Sequence, residues 1–216
     1  MKLGTGLIFY NDLQSLKRGI PSFIDGVDQV YAIDGRFSLY SGKDYSEPEV
    51  IEYLKSFDKV IIDQFIGMEH DKRQRYVNLA KENKCDAIFI IDSDEYILEA
   101  DWELFKKNIE IKAREYPNQN FFGVNFRYTP TEFYPPEYSP YPRVWIRPEE
   151  CSYFKAHCIF QGKQGITRSS AGGPVIEGMK MTGNDDLRSK EYLNSVCKYQ
   201  EKMLEYEIPI RIEFKH

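Results

Sequence analysis

The chain has 216 residues, a formal net charge of −5, and hydrophobic and charged fractions of 42% and 29%. This length and composition predict one globular domain with a sizeable core. No long basic run occurs, which argues against nucleic acid as the main partner. The four cysteines form no C-x-x-C pair, and the first apolar run is too short for a signal or a membrane span. We therefore expect a soluble cytoplasmic protein that could still associate peripherally with a membrane.

The first half of the chain alternates short apolar runs with amphipathic segments. Apolar runs predict strands at residues 3–10, 29–34, 59–63 and 86–94. Helical spacing predicts helices at residues 12–24, 46–57 and 69–83. We expect Asp12 to cap the first helix and Pro21 to end or kink it. We expect a capping box from Ser46 to Glu49 to open the second. This alternation predicts a largely parallel sheet with right-handed crossovers.

Each of the four predicted strands leads into an aspartate. These residues are Asp12, Asp34, Asp63 and Asp92. Parallel strands of an open α/β sheet bring their carboxyl ends to one edge, where ligands bind. Aspartate is also common in turns and caps, so a purely structural role is an equal alternative for any one of the first three. Their repetition favours a site at this edge for a polar ligand, which could include a cation.

The fourth strand end, FIIDSDEY at residues 89–96, places two aspartates one residue apart beside a glutamate. The sequence lacks the glycine-rich phosphate loop G-x-x-x-x-G-K-[ST], and GTG at residues 4–6 begins the first strand, which indicates a flexible strand entry. Phosphates would therefore require a metal at the D-S-D cluster and basic side chains. Lys72, Arg73 and Arg75 are the basic candidates, although a solvated helix face is favoured for Lys72 and Arg75.

The two aspartates of the D-S-D cluster have either one joint role or two separate ones. We expect the chain to turn at Ser93 if Asp92 and Asp94 are both to reach one cation. Otherwise each aspartate has its own role. The second possibility, with the roles divided between a nucleoside and a metal, is the favoured one.

These segments resemble nucleotide-sugar glycosyltransferases of the GT-A fold, in particular family-2-like members, from about residue 6 to residue 98. YND and SLKRGIPSF resemble the opening strand–helix turn, and VYAIDGRF resembles the second strand with its acid. KRQRYVNLA resembles the basic helix before the metal motif, and FIIDSDEY the D-x-D strand end. The resemblance implies an α/β, GT-A-like single domain: a mostly parallel Rossmann-like sheet flanked by helices, with a smaller mixed acceptor lobe. Its expected parts are residues 1–98 for nucleotide binding, 99–186 for the acceptor and 187–207 as a C-terminal amphipathic helix.

The resemblance also implies roles for individual residues. Asp94 would bind the Mn²⁺ or Mg²⁺ ion that bridges the donor diphosphate, and Asp92 would contact the ribose or the metal. Arg73 would lie near the diphosphate. The implied nucleotide-binding set is Tyr10, Asn11, Asp12, Asp34, Arg36, Arg73, Asp92 and Ser93.

The second half has the features of an acceptor lobe. Residues 128–142 hold five prolines and four tyrosines after a strand that alternates as if half-exposed, and such a segment can be neither a helix nor a central strand. Its aromatic faces suit sugar rings, and a proline-stiffened cover over the sheet is an equal alternative. The resemblance makes His157 a candidate metal ligand, and a structural role for this histidine is an equal alternative. Cys158 stands where many relatives have an acid. The glycine-rich residues 161–174 indicate a lid or a connector.

The last segment, residues 184–207, has the apolar spacing of an amphipathic helix. Asn184, Asp185 and Asp186 stand at its start, where helix capping is the favoured role. The resemblance offers Asp185 as a third metal ligand. Asn184 stands where relatives often carry a histidine or an acid.

The leading hypothesis is a metal-dependent glycosyltransferase that moves a sugar from a UDP- or GDP-linked donor to a carbohydrate, lipid-linked or protein acceptor. An inverting reaction needs one carboxylate as general base. The candidates are Glu95, Glu150, Glu177, Asp185 and Asp186, and a retaining reaction stays open. The alternatives are a haloacid-dehalogenase-like phosphatase, which also uses a D-x-D strand end, and a non-catalytic binder of nucleotide sugars.

Overall fold

The structure is a computed structural model that describes residues 1–38, 40–129, 132–133, 142–154, 156–168 and 174–183. Its helices are α1 (Leu13–Phe23), α2 (Pro48–Lys55), α3 (Glu69–Glu82) and α4 (Trp102–Glu115), with short 3₁₀ turns at Ile24–Gly26 and Pro148–Glu150. Its strands are β1 (Leu3–Ile8), β2 (Gln29–Asp34), β3 (Val60–Gln64), β4 (Ala87–Asp92), β5 (Glu95–Ala100), β6 (Phe121–Thr129), β7 (Glu132–Phe133), β8 (Val144–Ile146), β9 (Ser152–Phe154), β10 (Ala156–Gly162), β11 (Gly165–Arg168) and β12 (Val175–Gly183).

Most of the described strands form one large mixed sheet in the order β3-β2-β1-β4-β8-β6-β12-β5, with β7 paired to β6. The first four strands of this path are parallel, as the alternating pattern predicts. Strand β8 runs antiparallel to both β4 and β6, whereas β12 runs parallel to β6 and antiparallel to β5. A separate antiparallel sheet has the order β11-β10-β9.

The large sheet is curled because of one short connection. Strands β4 and β5 are joined by a two-residue turn, residues 93–94, although β8, β6 and β12 lie between them in the strand order. Such a short turn can connect these two strands only if the sheet curls so that β5, at one edge of the sheet, comes close to β4 near its centre. This curl places the start of β5 beside the carboxyl end of β4.

The central strands are buried on both faces. Side chains such as Leu3, Leu7 and Phe89 face one apolar cluster, and Tyr31, Ile88 and Trp145 face a second. The described side chains of strand β6 are also largely buried. The prediction of a half-exposed strand, made from the alternation of apolar and polar residues, is therefore wrong for this part of β6. Coverage by helices on both faces accounts for the continuous apolar runs.

The glycines of β1 have a packing role rather than the flexible entry that the sequence indicates. A Cβ atom on Gly6 would lie 2.5 Å from Cδ2 of Tyr76, and one on Gly4 would lie 2.9 Å from Cε2 of Tyr31. Both tyrosines are fully buried. The two glycines therefore leave the space that these rings occupy under α3.

Three residues predicted to start or end helices, Asp12, Pro21 and Ser46, do not act in that way. Helix α1 continues past Pro21 to Phe23, and Asp12 makes no side-chain capping hydrogen bond. The capping box predicted from Ser46 is wrong, since Glu47 precedes α2 and the Ser46 hydroxyl bonds Asp34 instead. These polar side chains bind residues that are distant in sequence, and such partners cannot be predicted from local residue spacing.

We predict that Gly6→Ala lowers the free energy of unfolding by about 1–3 kcal/mol, because the added methyl group overlaps a ring that cannot move freely. Urea denaturation followed by circular dichroism measures the change. Glu52→Ala, on the exposed side of α2, is the matched control and should change stability by less than about 0.5 kcal/mol. Equal stability of Gly6→Ala and the unsubstituted protein would contradict this packing.

Candidate functional site

The strand order reverses between β1 and β4, which makes their carboxyl ends the expected ligand crevice of the sheet. The loop after β1 carries Tyr10, Asn11 and Asp12, and the turn after β4 carries Ser93 and Asp94. The hydroxyl of Ser93 donates a hydrogen bond of 2.8 Å to Oδ2 of Asp12. This bond joins the two sides of the crevice.

The parallel register of β1 to β4 places the four predicted aspartates at the same edge of the sheet. Their surroundings differ. Asp63, on the outermost of these strands, forms an ion pair of 2.7 Å with Arg75, whose side chain is 44% exposed. This pair fits the solvated helix face expected for Arg75.

Asp92 is held by two arginines. Its Oδ1 lies 2.7 Å from Nη2 of Arg73, and its Oδ2 lies 3.5 Å from Nη1 of Arg143. The guanidinium of Arg73 also lies 2.8 Å from Glu69 on the previous turn of α3. Both arginines are buried, so their charges require these carboxylates. The carboxylate expected to contact ribose or metal thus has two cationic partners within the protein.

Glu95 lies beside this group and is 6% exposed. Its Oε1 forms an ion pair with Nη2 of Arg143, and its Oε2 accepts a 2.8 Å hydrogen bond from the backbone N–H of Asp92. Burial raises the pKa of Glu95, and the attraction of Arg143 offsets that shift in part. A carboxylate with these internal partners is poorly placed to accept a proton from a substrate hydroxyl.

Asp94 lies in the turn itself and is partly exposed. The chain does turn at Ser93, which is the condition for Asp92 and Asp94 both to reach one cation, and the division of roles between them stays a prediction. Within the described part of the chain, no group of three His, Cys, Asp or Glu residues is close enough to hold a metal ion. A metal at this edge would therefore need ligands from the phosphates of a substrate as well as from Asp94, which is a common arrangement for Mg²⁺.

Asp34, at the end of β2, is fully buried. Its carboxylate accepts a 2.6 Å hydrogen bond from the Ser46 hydroxyl, further bonds from the Ser46 N–H, and one of 3.2 Å from Nε2 of Gln64. These donors all come from the protein. Asp34 therefore anchors the segment before α2, and its predicted role in a base and ribose pocket stays a prediction.

That segment also contacts the loop after β1. The hydroxyl of Tyr10 donates to the carbonyl of Lys43 at 2.7 Å. The backbone N–H of Asn11 donates to Ser46 Oγ at 2.8 Å, and Asn11 Oδ1 accepts the N–H of Glu47 at 2.7 Å. Asn11 has a φ of 49°, a left-handed conformation that asparagine tolerates better than most residues. The three residues Tyr10, Asn11 and Asp34 thus share one hydrogen-bonded neighbourhood.

Arg36, predicted to lie close to the nucleotide, is bound within the same segment. Its Nε pairs with Asp44 at 3.0 Å, and its Nη1 donates to the carbonyl of Tyr40 at 2.8 Å. The preceding Gly35 has a φ of 120° and a backbone that approaches Phe65 closely. A side chain at position 35 would meet both conformational strain and a steric clash.

Lys72 is not on a solvated face, so that favoured alternative is wrong for this residue. It is 1% exposed, and its ammonium group donates to the carbonyls of Gly35 and Phe9 at the ends of β2 and β1. Burial lowers the pKa of Lys72 to about 8, although Asp34 and Glu69 act in the opposite direction. Lys72 therefore links the ends of β1 and β2 by hydrogen bonds beneath the crevice.

Two predicted bases lie away from the crevice. Glu177 is exposed near the start of β12, whereas Gly183 at the other end of that strand pairs with Glu95. Glu150 is ion-paired to Arg147 and Lys163 near the amino end of β4. Although desolvation opposes its ionisation, hydrogen bonds from Asn120 and from the two basic side chains lower the pKa of Glu150 to about 2. The structure brings neither glutamate to the D-S-D turn.

Other predicted residues lie outside what the structure describes. The backbone of His157 belongs to β10, but its side chain and that of Cys158 are not described. Asp185, Asp186 and the predicted C-terminal helix also lie outside, as do most of residues 128–142 and part of residues 161–174. Their predicted roles stay predictions.

Arg143 is the important residue that sequence reasoning missed. It directly precedes the buried strand β8 in the stretch PRVWI, and it is 7% exposed. A basic residue at the entry of a fully apolar run is a signal that a partner is needed, because a buried charge is costly without one. The identity of that partner depends on strand pairing, which the local sequence does not contain.

The described fold is a GT-A-like α/β fold, and comparison with solved structures confirms this predicted class. Crystal structures of S. aureus TarS superpose on the chain. A fragment, TarS 1–349, matches with a TM-score of 0.54 at 11% identity, covering 100% of this chain and 76% of that one. Its complex with UDP-GlcNAc matches with a TM-score of 0.55 at 12% identity, covering 99% and 68%. Its complex with UDP matches with a TM-score of 0.52 at 13% identity, covering 99% and 67%.

Neither a protein-family model nor a curated protein sequence matches the chain. Among the described residues, no helix is long and apolar enough to cross a membrane. Because the identities to TarS are 11–13%, the likeness to TarS is one of fold alone.

We predict a pH dependence of stability that arises from Lys72. Its pKa of about 8 lies below the ordinary 10.5, so between these values the unfolded chain binds more protons than the folded chain. The unfolding free energy of the protein should therefore rise with pH, relative to Lys72→Met, by about 1 kcal/mol per pH unit in this window. Urea unfolding of both proteins at pH 7.5 and pH 9.5 measures the difference. Identical pH dependence in the two proteins would show that burial does not lower the pKa of Lys72.

Proposed function

We propose that the chain is a nucleotide-sugar glycosyltransferase that binds its donor in the crevice between the ends of β1 and β4. The observation that carries this proposal is the GT-A-like fold shared with TarS, whose crystal structures include complexes with UDP-GlcNAc and UDP. The position of Asp12, Ser93 and Asp94 at the switch point of the sheet supports the same crevice. Family-2-like character and a UDP- or GDP-linked donor are part of the proposal.

We further propose that Asp94 holds a Mn²⁺ or Mg²⁺ ion together with the donor diphosphate. The buried group around Asp92 contains Arg73 and Arg143 against three carboxylates, those of Glu69, Asp92 and Glu95. With Asp94 added, the carboxylates of Glu69, Asp92 and Asp94 outnumber the two guanidiniums even when Glu95 is protonated, which favours a cation there. When bound, a divalent ion would offset the charge that accumulates on the departing nucleoside diphosphate.

An inverting transfer would also need a general base beside the acceptor hydroxyl. Glu95 binds Arg143 and the backbone of Asp92, and Glu150 binds Arg147 and Lys163. Glu177 lies far along β12 from the turn. Of the candidates that the sequence offers, Asp185 and Asp186 are therefore the ones we propose to test first.

The phosphatase alternative loses support from the same geometry. In that mechanism the first aspartate of D-x-D attacks phosphorus and must be accessible to the substrate. Here Asp92 is paired with Arg73 and lies close to Arg143. A carboxylate held by two guanidiniums is a weak nucleophile.

We expect UDP or GDP with Mn²⁺ to raise the melting temperature of the protein, and either component alone to do so much less, because the ion and the diphosphate complete each other's coordination. At a ligand concentration of about 100 times Kd the stabilisation is roughly 2.7 kcal/mol. Asp94→Ala should abolish the response. Glu177→Ala is the matched control, since it removes an exposed carboxylate away from the turn.

The absence of any nucleotide response in the unsubstituted protein would overturn the proposal. A second assay separates a transferase from a binder: incubation with UDP-GlcNAc and with a set of other UDP- and GDP-sugars, followed by detection of free nucleoside diphosphate. Slow hydrolysis that Asp94→Ala eliminates is the result expected of a transferase. Nucleotide binding without turnover, even with a panel of carbohydrate acceptors, would indicate a non-catalytic binder.

A further inference from the structure

The side chain of Arg143 contacts residues on both sides of the turn that carries Asp94. The side chain of Arg143 reaches Asp92 before the turn, at 3.5 Å, and forms an ion pair with Glu95 after it. Its backbone carbonyl accepts a 2.7 Å hydrogen bond from the N–H of Ile90 in β4. Main chain and side chain of Arg143 therefore both bind the strand–turn unit that begins at β4.

Glu95 also binds the turn, from its C-terminal side. Its Oε2 accepts the N–H of Asp92 at 2.8 Å, which closes a ring from the end of β4 to the start of β5. Its other carboxylate oxygen is bound to Arg143. If the guanidinium were removed, a buried carboxylate would lose its cation, and the bond that closes the turn would lose its support.

Helix α1 supports the opposite side of the turn. A Cβ atom on Gly19 would lie 2.9 Å from the carbonyl oxygen of Glu95, so the helix backbone packs directly on the turn. The hydroxyl of Ser22 accepts the N–H of Ile97 at 2.9 Å, and Arg18 donates to the hydroxyl of Tyr96 at 2.6 Å. The turn is thus held between α1 and the residue that precedes β8.

Arg143 is too deeply buried to meet a substrate. It is 7% exposed, and its guanidinium lies 5.4 Å from the centre of the Phe126 ring. A planar guanidinium can bind two carboxylates at once, whereas an ammonium group acts as a single point of charge. These properties suit a residue that sets the position of others.

We propose that Arg143 is a positioning residue, which pairs with Asp92 and Glu95 to fix the β4–β5 turn and thereby sets where Asp94 meets the donor. The first part of this inference concerns the turn alone. The second part rests on the proposed function, because it assumes that a nucleoside diphosphate binds at Asp94. Arg143 itself would contact no donor.

The chain offers a matched control at the other end of β8. Arg147 is paired with Glu150 at 2.9 Å, and this pair lies near the amino end of β4, away from the D-S-D turn. The two double variants Arg143→Met/Glu95→Gln and Arg147→Met/Glu150→Gln remove the same charges at opposite edges of the sheet. In the first variant, the amide oxygen of the glutamine introduced at position 95 can still accept the N–H of Asp92.

Two measurements test the proposal. The first is hydrogen–deuterium exchange of the peptide covering residues 90–97 in the ligand-free protein. The second is the affinity for UDP with Mn²⁺, measured by calorimetry. Replacing both partners of a buried ion pair restores much of the stability that a single replacement loses. We expect Arg143→Met/Glu95→Gln to stay folded, to exchange this peptide about tenfold faster, and to bind UDP with Mn²⁺ about tenfold more weakly.

The Arg147 control should leave both quantities unchanged. Arg143→Lys is a second variant, which keeps the charge but lacks the planar fork whose two nitrogens reach Asp92 and Glu95 separately. It should also speed exchange at residues 90–97 while the melting temperature stays within about 3 °C. If the double variant does not fold, exchange at residues 90–97 in Arg143→Lys tests the proposal instead.

Three results would overturn the inference. One is wild-type exchange at residues 90–97 in folded Arg143 variants, and another is wild-type affinity for UDP with Mn²⁺ despite a loosened turn. The third is an equal loss of affinity in the Arg147 control, which would indicate general destabilisation. If the unsubstituted protein binds no nucleotide, the proposed function fails, and the exchange experiment alone still decides whether Arg143 positions the turn.

Discussion

The site depends on the compensation of two buried guanidiniums by carboxylates. Arg73 enters from α3 and Arg143 from the residue before β8, and both reach Asp92 at the end of β4. Because an uncompensated charge in the interior would destabilise the fold, these contacts constrain α3, β4 and β8 relative to one another. Asp92 therefore has a structural role in these contacts, and its predicted contact with ribose or metal stays a prediction.

The curl of the sheet links these buried ion pairs to the turn between β4 and β5. A two-residue turn brings β5 from the far edge of the sheet back to the end of β4, and Glu95 then joins the group around Arg143. The hydrogen bond from Ser93 to Asp12 connects the same turn to the loop after β1. A ligand that enters the crevice therefore meets two segments whose relative position is already set, which reduces the ordering cost of binding.

Much of the fold could be predicted from the sequence because the signals were local. Apolar runs of strand length, separated by amphipathic helices, were sufficient for β1 to β4 and for the edge that carries Asp34 and Asp92. The partners of the polar residues could not be predicted in the same way. The capping box predicted at Ser46 and the solvated helix face predicted for Lys72 are wrong, since Ser46 binds Asp34 and Lys72 binds the carbonyl of Gly35. These contacts depend on the packing of the segment before α2 and of α3 on the strand ends.

The most direct test of this account is a crystal structure of the protein with UDP and Mn²⁺, in which the ion is located by its anomalous scattering. We predict nucleotide density in the crevice between β1 and β4, an anomalous peak beside Asp94, and Asp92 still bound to Arg73 and Arg143. An ion bound by Asp92 after it has left the two arginines would contradict the structural role assigned to that residue. Nucleotide bound at any other part of the sheet would contradict the site itself.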